Sequence, residues 1–262
     1  RGRDRRRRCA AQGEGRVIRS TTIVSTVFVA LACLGPLVAA PGASAKETRR
    51  YVTESPRNMT LELRFGLYRP NVDSEFSNGA TPYKDAFGSG TMLQPGLELD
   101  WHILQKYGIL AIGGGFGYAQ DTGHGKLKNG EAATDSTKFH VLPLSLSLVY
   151  RWDMAARLWS VPLVPHVKAG FDYYLWWISN GVGSVPQWTD TATGKTARGM
   201  GGTFGGHVSF GLSFLMDWLE PDVAQTFDGD MGVNATYLYA EYVMSWIDDF
   251  NARDALNLSS NT

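Results

Sequence analysis

Cysteine is almost missing from this chain, and the two that exist, Cys9 and Cys33, both fall within the first 45 residues. Everything after Ala45 is cysteine-free, which excludes a disulfide framework and any Cys-based metal or redox site there. Charge is scarce as well, at 19% of residues against the roughly 25% of soluble domains. The zero formal net charge hides an asymmetry. Residues 1–45 carry eight arginines against Asp4 and Glu14, leaving 17 basic and 23 acidic residues in the remainder. An acidic remainder with no basic patch argues against nucleic acid as a partner. In plenty, by contrast, are glycine, with 30 residues, and aromatics at 12% with eight tryptophans. That profile fits an all-β chain with Gly-rich turns and a large apolar or interfacial surface.

No charge occurs between Arg19 and Lys46. Ile23, Val24, Val27, Phe28, Val29, Leu31 and Leu34 form a short apolar core there, broken by Gly35 and Pro36 and followed by the small-residue site Ala43-Ser44-Ala45. Basic, apolar and small-residue parts in that order predict a cleavable export signal over residues 1–45, the earliest of them a start-site extension. A transmembrane helix would have to run through Pro36, Pro41, Gly35 and Gly42, which makes a continuous span the poorer reading. Residues 46–58 read as a short polar linker, and 59–262 as the folded region.

In that region strict alternation recurs over segments about 9 to 11 residues long, the length a membrane β-strand needs. Met59, Leu61, Leu63, Phe65 and Leu67 alternate with Thr60, Glu62, Arg64, Gly66 and Tyr68. Segments starting near Leu93, Leu110, Leu142, His166, Phe204 and Tyr237 repeat the pattern. One face is nearly unbroken Leu, Phe, Val and Tyr, while the other mixes small residues with charges of both signs. A soluble sandwich or lipocalin-like barrel also alternates. The membrane reading is favoured because Trp101, Trp152, Trp177, Trp218 and Trp246 fall at or near strand ends and make two aromatic girdles. Loop lengths agree. Residues 70–92, 120–136 and 178–200 read as long outer loops, against short inner turns at 104–107 and 154–160 and a helix from about Asp217 in residues 217–233.

The stretches FGLYRPNVD at 65–73, LPLSLSLVYR at 142–151, PLVPHVKAGFDYYLWW at 162–177, DWLEPD at 217–222 and GVNATYL at 232–238 resemble a myxobacterial-type family of outer-membrane β-barrel proteins with no assigned activity. The resemblance covers about residues 60–260 and implies fold and location. It also implies a closing strand with a terminal aromatic, where this sequence stops at Thr262. The expected fold is therefore all-β, a small antiparallel transmembrane up-and-down barrel of about eight strands. Seven are visible, so the frame is expected to continue for one more. The expected location is a Gram-negative outer membrane, with outer-membrane lipid and a ligand at the extracellular loops as partners and no cofactor.

Little reaction chemistry stands out. Gly113-Gly114-Gly115 lacks the following helix and lysine of a phosphate loop. His102, His140 and His166 have no metal-like spacing. His207-Val208-Ser209 places an imidazole and a hydroxyl on one strand face, an arrangement similar to that of some outer-membrane lipid A deacylases, for which Glu241 would supply the carboxylate. Polar residues at inward positions need no such role, and the structural reading is preferred. Glu62, Arg64, Glu98, Asp100, Arg151, Lys168, Asp172 and Glu241 are expected to form a paired interior charge network that plugs the barrel. A soluble ligand-binding barrel is the remaining alternative.

Overall fold

The computed structural model describes residues 57–76, 79–126, 132–189, 194, 196–250 and 256–261. The export signal expected at 1–45 and most of the 46–58 linker lie outside them. Alternation becomes strand in every expected segment. In chain order these are β1 (Met59–Tyr68), β2 (Met92–Leu104), β3 (Ile109–Gly117), β4 (Ala119–Lys126), β5 (Ala132–Arg151) and β6 (Leu163–Ser179). A small hairpin follows, β7 (Gln187–Thr189) and β8 (Thr196–Arg198), and then β9 (Met200–Leu215), β10 (Tyr237–Trp246) and the two-residue β11 (Ser260–Asn261). The main sheet runs β1-β2-β3-β5-β6-β9-β10-β11, with β4 continuing the line of β3 along β5 past a break at Tyr118. Every pairing is antiparallel.

The register makes the sheet curl. A pairing row that starts at Trp246, the last residue of β10, passes through Gly206, Phe171, Leu146, Gly114 and Leu99 and meets β1 at Leu61, near its beginning. Such a stagger is what tilted strands need to bend a sheet into a barrel. The sheet ends are bridged by side chains. The Tyr239 hydroxyl donates to the Leu63 carbonyl at 3.1 Å, Arg64 meets Glu241 at 3.3 Å, and the Tyr68 hydroxyl donates to the Leu258 carbonyl at 2.7 Å. Among the described residues β1 pairs only with β2, and β11 occupies only the Met244–Ser245 end of the seam beside β10. The molecule is thus a curled antiparallel half-barrel.

Two loop readings change. Residues 120–136 are largely strand, because β4 and the start of β5 pair from Gln120↔His140 to Lys126↔Ala132. Residues 178–200 contain the β7–β8 hairpin. At 120–136 the β4–β5 ladder runs on past the point where side chains stop alternating between apolar and polar, and at 178–200 a separate short hairpin forms without that alternation, so the periodic signal marks neither. At this loop end α1 (Pro82–Phe87) lies over β4. Gly123 permits that approach, since a Cβ there would meet the Ala86 backbone. Tyr68, Val72, Tyr83, Met92, Phe139, Val141 and Ile247 close the loop end with an apolar cap. Burial, and then the neighbouring Asp121 carboxylate, raises the Tyr83 phenol well above its ordinary range, so it remains a donor to Asp121 at 3.1 Å. At the opposite, turn end stand α2 (Met154–Trp159) and α3 (Pro221–Met231), the latter preceded by a 3-10 turn over Met216–Trp218.

Candidate functional site

The two-residue period of each strand sends one set of side chains outward and the other inward. Outward go Leu61, 67% exposed, Leu146 at 58%, Phe171 at 70% and their neighbours. Inward go nearly all the charges. The register sets Glu62 directly opposite Glu98, a like-charge pair that would destabilise an exposed sheet. Lys168 resolves it from across the barrel. Its ammonium lies 2.6 Å from Glu62, 3.2 Å from Glu98 and 3.5 Å from Glu241, with the side chain wholly buried.

Two arginines complete the layer. Arg151 pairs with Glu62 and Asp100, and Arg64 reaches Glu98 at 2.6 Å as well as Glu241. Seven of the eight residues expected in a charge network therefore meet in one layer, joining β1, β2, β5, β6 and β10. The eighth, Asp172, pairs instead with His207. Oxygens of Glu62, Glu98 and Asp100 lie close enough together to hold a cation. Lys168 and Arg151 already stand against all three, which leaves the protein's own cations in the place a metal would take.

His207 does not join Ser209 or Glu241. Its Nδ1 lies 2.9 Å from Asp172 Oδ2 and its Nε2 lies 3.2 Å from Ser147 Oγ, so the carboxylate, imidazole and hydroxyl come from β6, β9 and β5. Gly170 lets the β5 backbone and the ring both approach, since a Cβ there would meet the Leu146 carbonyl and would stand 2.9 Å from His207 Cε1. The Ser209 hydroxyl is buried and has no hydrogen-bond partner among the described residues, while Glu241 binds Arg64, Lys168 and His166. No sequence spacing could have exposed the Asp172–His207–Ser147 line, because its members meet only through strand register.

This order of groups is that of a hydrolytic triad, yet the other three buried histidines of the sheet do the same bridging. His166 joins Glu241 at 3.2 Å to Ser213 at 3.1 Å, His102 joins Thr60 to the Arg57 carbonyl, both at 2.8 Å, and His140 joins Tyr118 at 2.7 Å to Ser179 at 3.0 Å. A two-sided imidazole bridge is how polar strand faces are satisfied here. Catalysis would also need oxyanion donors and room for substrate. The cavity beside His207, lined by Arg64, Gln94, Ser145, Asp172 and Tyr174, measures about 80 Å³. That cavity holds a few waters and no acyl chain; the other hollow that touches His207, about 390 Å³, lies open on the outward side between Phe171, Val208 and Trp246.

Of the expected girdle, Trp101, Trp152 and Trp218 are exposed toward the turn end, and Trp246 is exposed toward the loop end. Trp177 is half-buried, stacked on His140 with centroids 5.0 Å apart and planes within 10°. Trp159 of α2, not anticipated, joins the turn-end belt by packing edge-on against Trp152. No known family model, curated protein or solved structure matches the chain.

Proposed function

We propose that this chain is a transmembrane β-barrel of a bacterial outer membrane, exported by its N-terminal signal, whose interior is sealed and whose work lies in holding and presenting its outer loops. One observation carries the reading: the polarity is inside out. Apolar side chains, leucine and phenylalanine foremost, cover the outward face of the long strands, while Glu98, Asp100 and Lys168 are each at most 1% exposed. Soluble monomers rarely expose continuous apolar patches beyond a few hundred Å², whereas an apolar outer band with a polar interior is the rule for a barrel in lipid. The aromatic belts at both ends of the band add to this, as does the resemblance of residues 65–73 and 162–177 to a myxobacterial-type outer-membrane family.

Sealing follows from two stacked layers. The charge layer fills the barrel toward the turn end and the Tyr83–Phe139 cap closes the loop end, so neither conduction nor an internal ligand is favoured. His207 and Ser209 are buried on the inward side of β9 and are not bonded to each other. The β7–β8 hairpin within residues 178–200 is the natural recognition surface, since loops on a rigid scaffold carry contact residues. Cell fractionation of the expressed full-length chain tests the assignment. A mature band in the outer-membrane fraction that migrates differently before and after boiling is expected. Recovery of the mature chain in soluble periplasm without detergent overturns the reading.

A further inference from the structure

The connection between β9 and β10 holds an apolar surface that none of the described residues covers. In α3 Val223, Phe227 and Met231 recur every four residues and so share one side of the helix. They are 49%, 46% and 72% exposed, and no residue of the helix is buried. Gln225 falls on the opposite side, at the 100° per residue of a helix.

The way the helix leaves the sheet fixes where that side can go. Trp218, just before α3, packs edge-on against Phe214 at 6.3 Å, and Phe214 belongs to the outward face of β9. The return is pinned by the Thr236 amide, which donates to Asp217 Oδ1 at 3.0 Å, and by the Met216 amide on the Thr236 carbonyl at 2.9 Å. Gly232, with φ of 70°, ends the helix in the left-handed conformation. The connection thus runs along the outside of the barrel, continuous with its apolar band. At the same end α2 turns Leu158 and Trp159 outward in the same manner.

We propose that α3 lies flat in the bilayer interface at the turn end of the barrel, with Val223, Phe227 and Met231 beside Trp218 sunk among zwitterionic lipids. The proposal rests on the membrane reading above. In-plane helices of this kind bury their apolar side about 5 to 10 Å deep. Charge selects the lipid. Residues 220–231 carry Glu220, Asp222, Asp228 and Asp230 with no lysine or arginine, so an anionic leaflet would repel the helix that a zwitterionic one accepts.

Single-cysteine forms of the full chain provide the test, with Cys9 and Cys33 replaced by serine. An environment-sensitive fluorophore is placed at Val223→Cys, Gln225→Cys and Leu146→Cys after reconstitution into phosphatidylcholine vesicles, and its quenching by nitroxide-labelled phosphatidylcholine is measured. Leu146 and Val223 should be quenched several-fold more than Gln225, and phosphatidylglycerol added to the bilayer should lessen quenching at Val223 while leaving Leu146 unchanged. Quenching at Leu146 with Val223 as solvent-exposed as Gln225 overturns the helix placement alone. No quenching at Leu146, repeated at Ile112→Cys to allow for a misfolded variant, overturns the membrane reading beneath it. Stronger quenching at Val223 in phosphatidylglycerol overturns the choice of lipid.

Discussion

Lys168→Met should lower the unfolding free energy of the barrel by about 3 kcal/mol, the lower end of what stranding a buried charge costs. Methionine keeps nearly the volume of the lysine stem, so the loss is electrostatic and not a cavity effect. The ammonium is the group that lets Glu62 and Glu98 sit opposite each other, with Glu241 as its third neighbour. Without it Glu62 keeps Arg151, and Glu98 and Glu241 share Arg64 with Glu241 still bonded to His166, which is why the expected loss stays at the low end. Adding Glu62→Gln to Lys168→Met should recover part of the loss by removing one uncompensated acid. Urea unfolding of the two variants and the parent in the same lipid measures both effects. Identical midpoints for parent and Lys168→Met would mean that water reaches this layer and screens it, and the sealed interior would be abandoned.

A charge placed on the opposite face should be as damaging. Leu146 points outward from the inner part of β5, in the row with Gly114 and Phe171. In lipid, Leu146→Arg is expected to cost about 2 to 4 kcal/mol near the bilayer midplane. On a water-facing sheet the same change would stay within about 0.5 kcal/mol, as is usual for surface substitutions. Thr122→Arg, at an exposed position on β4 near the loop end, is the internal control and should fall within that smaller range in either case. Comparing the three proteins in vesicles by denaturant titration separates the two settings, and an Arg at 146 that costs no more than one at 122 would rule out lipid around the band.

The sequence by itself determined the strands and their polarity. Met59 to Leu67 and Leu142 to Leu148 alternate so regularly that only the two-residue period of an extended chain accounts for them, and β1 runs over the same residues, Met59–Tyr68, that the alternation marks. Which charges face inward followed from the same parity. A local signal suffices for such features, because side-chain direction along a strand is fixed by the residue's own position. Outside the apolar band that signal fades, and the outer parts of β4, β5 and β6 had no periodicity to mark them.

Only the tertiary structure decided which partners meet. Glu62 and Lys168 are 106 positions apart, and Ser147, Asp172 and His207 stand on three different strands. The nearest polar neighbour in sequence, Ser209, is not the one His207 bonds. Contacts of this kind depend on strand register and on the curl that carries β6 across the interior from β1. Both are set by the sum of many backbone pairings and by the stagger between them, and no pair of residues carries that information alone. The outward path of α3 was equally invisible, because it depends on Trp218 finding Phe214 on a strand face whose orientation the whole sheet fixes.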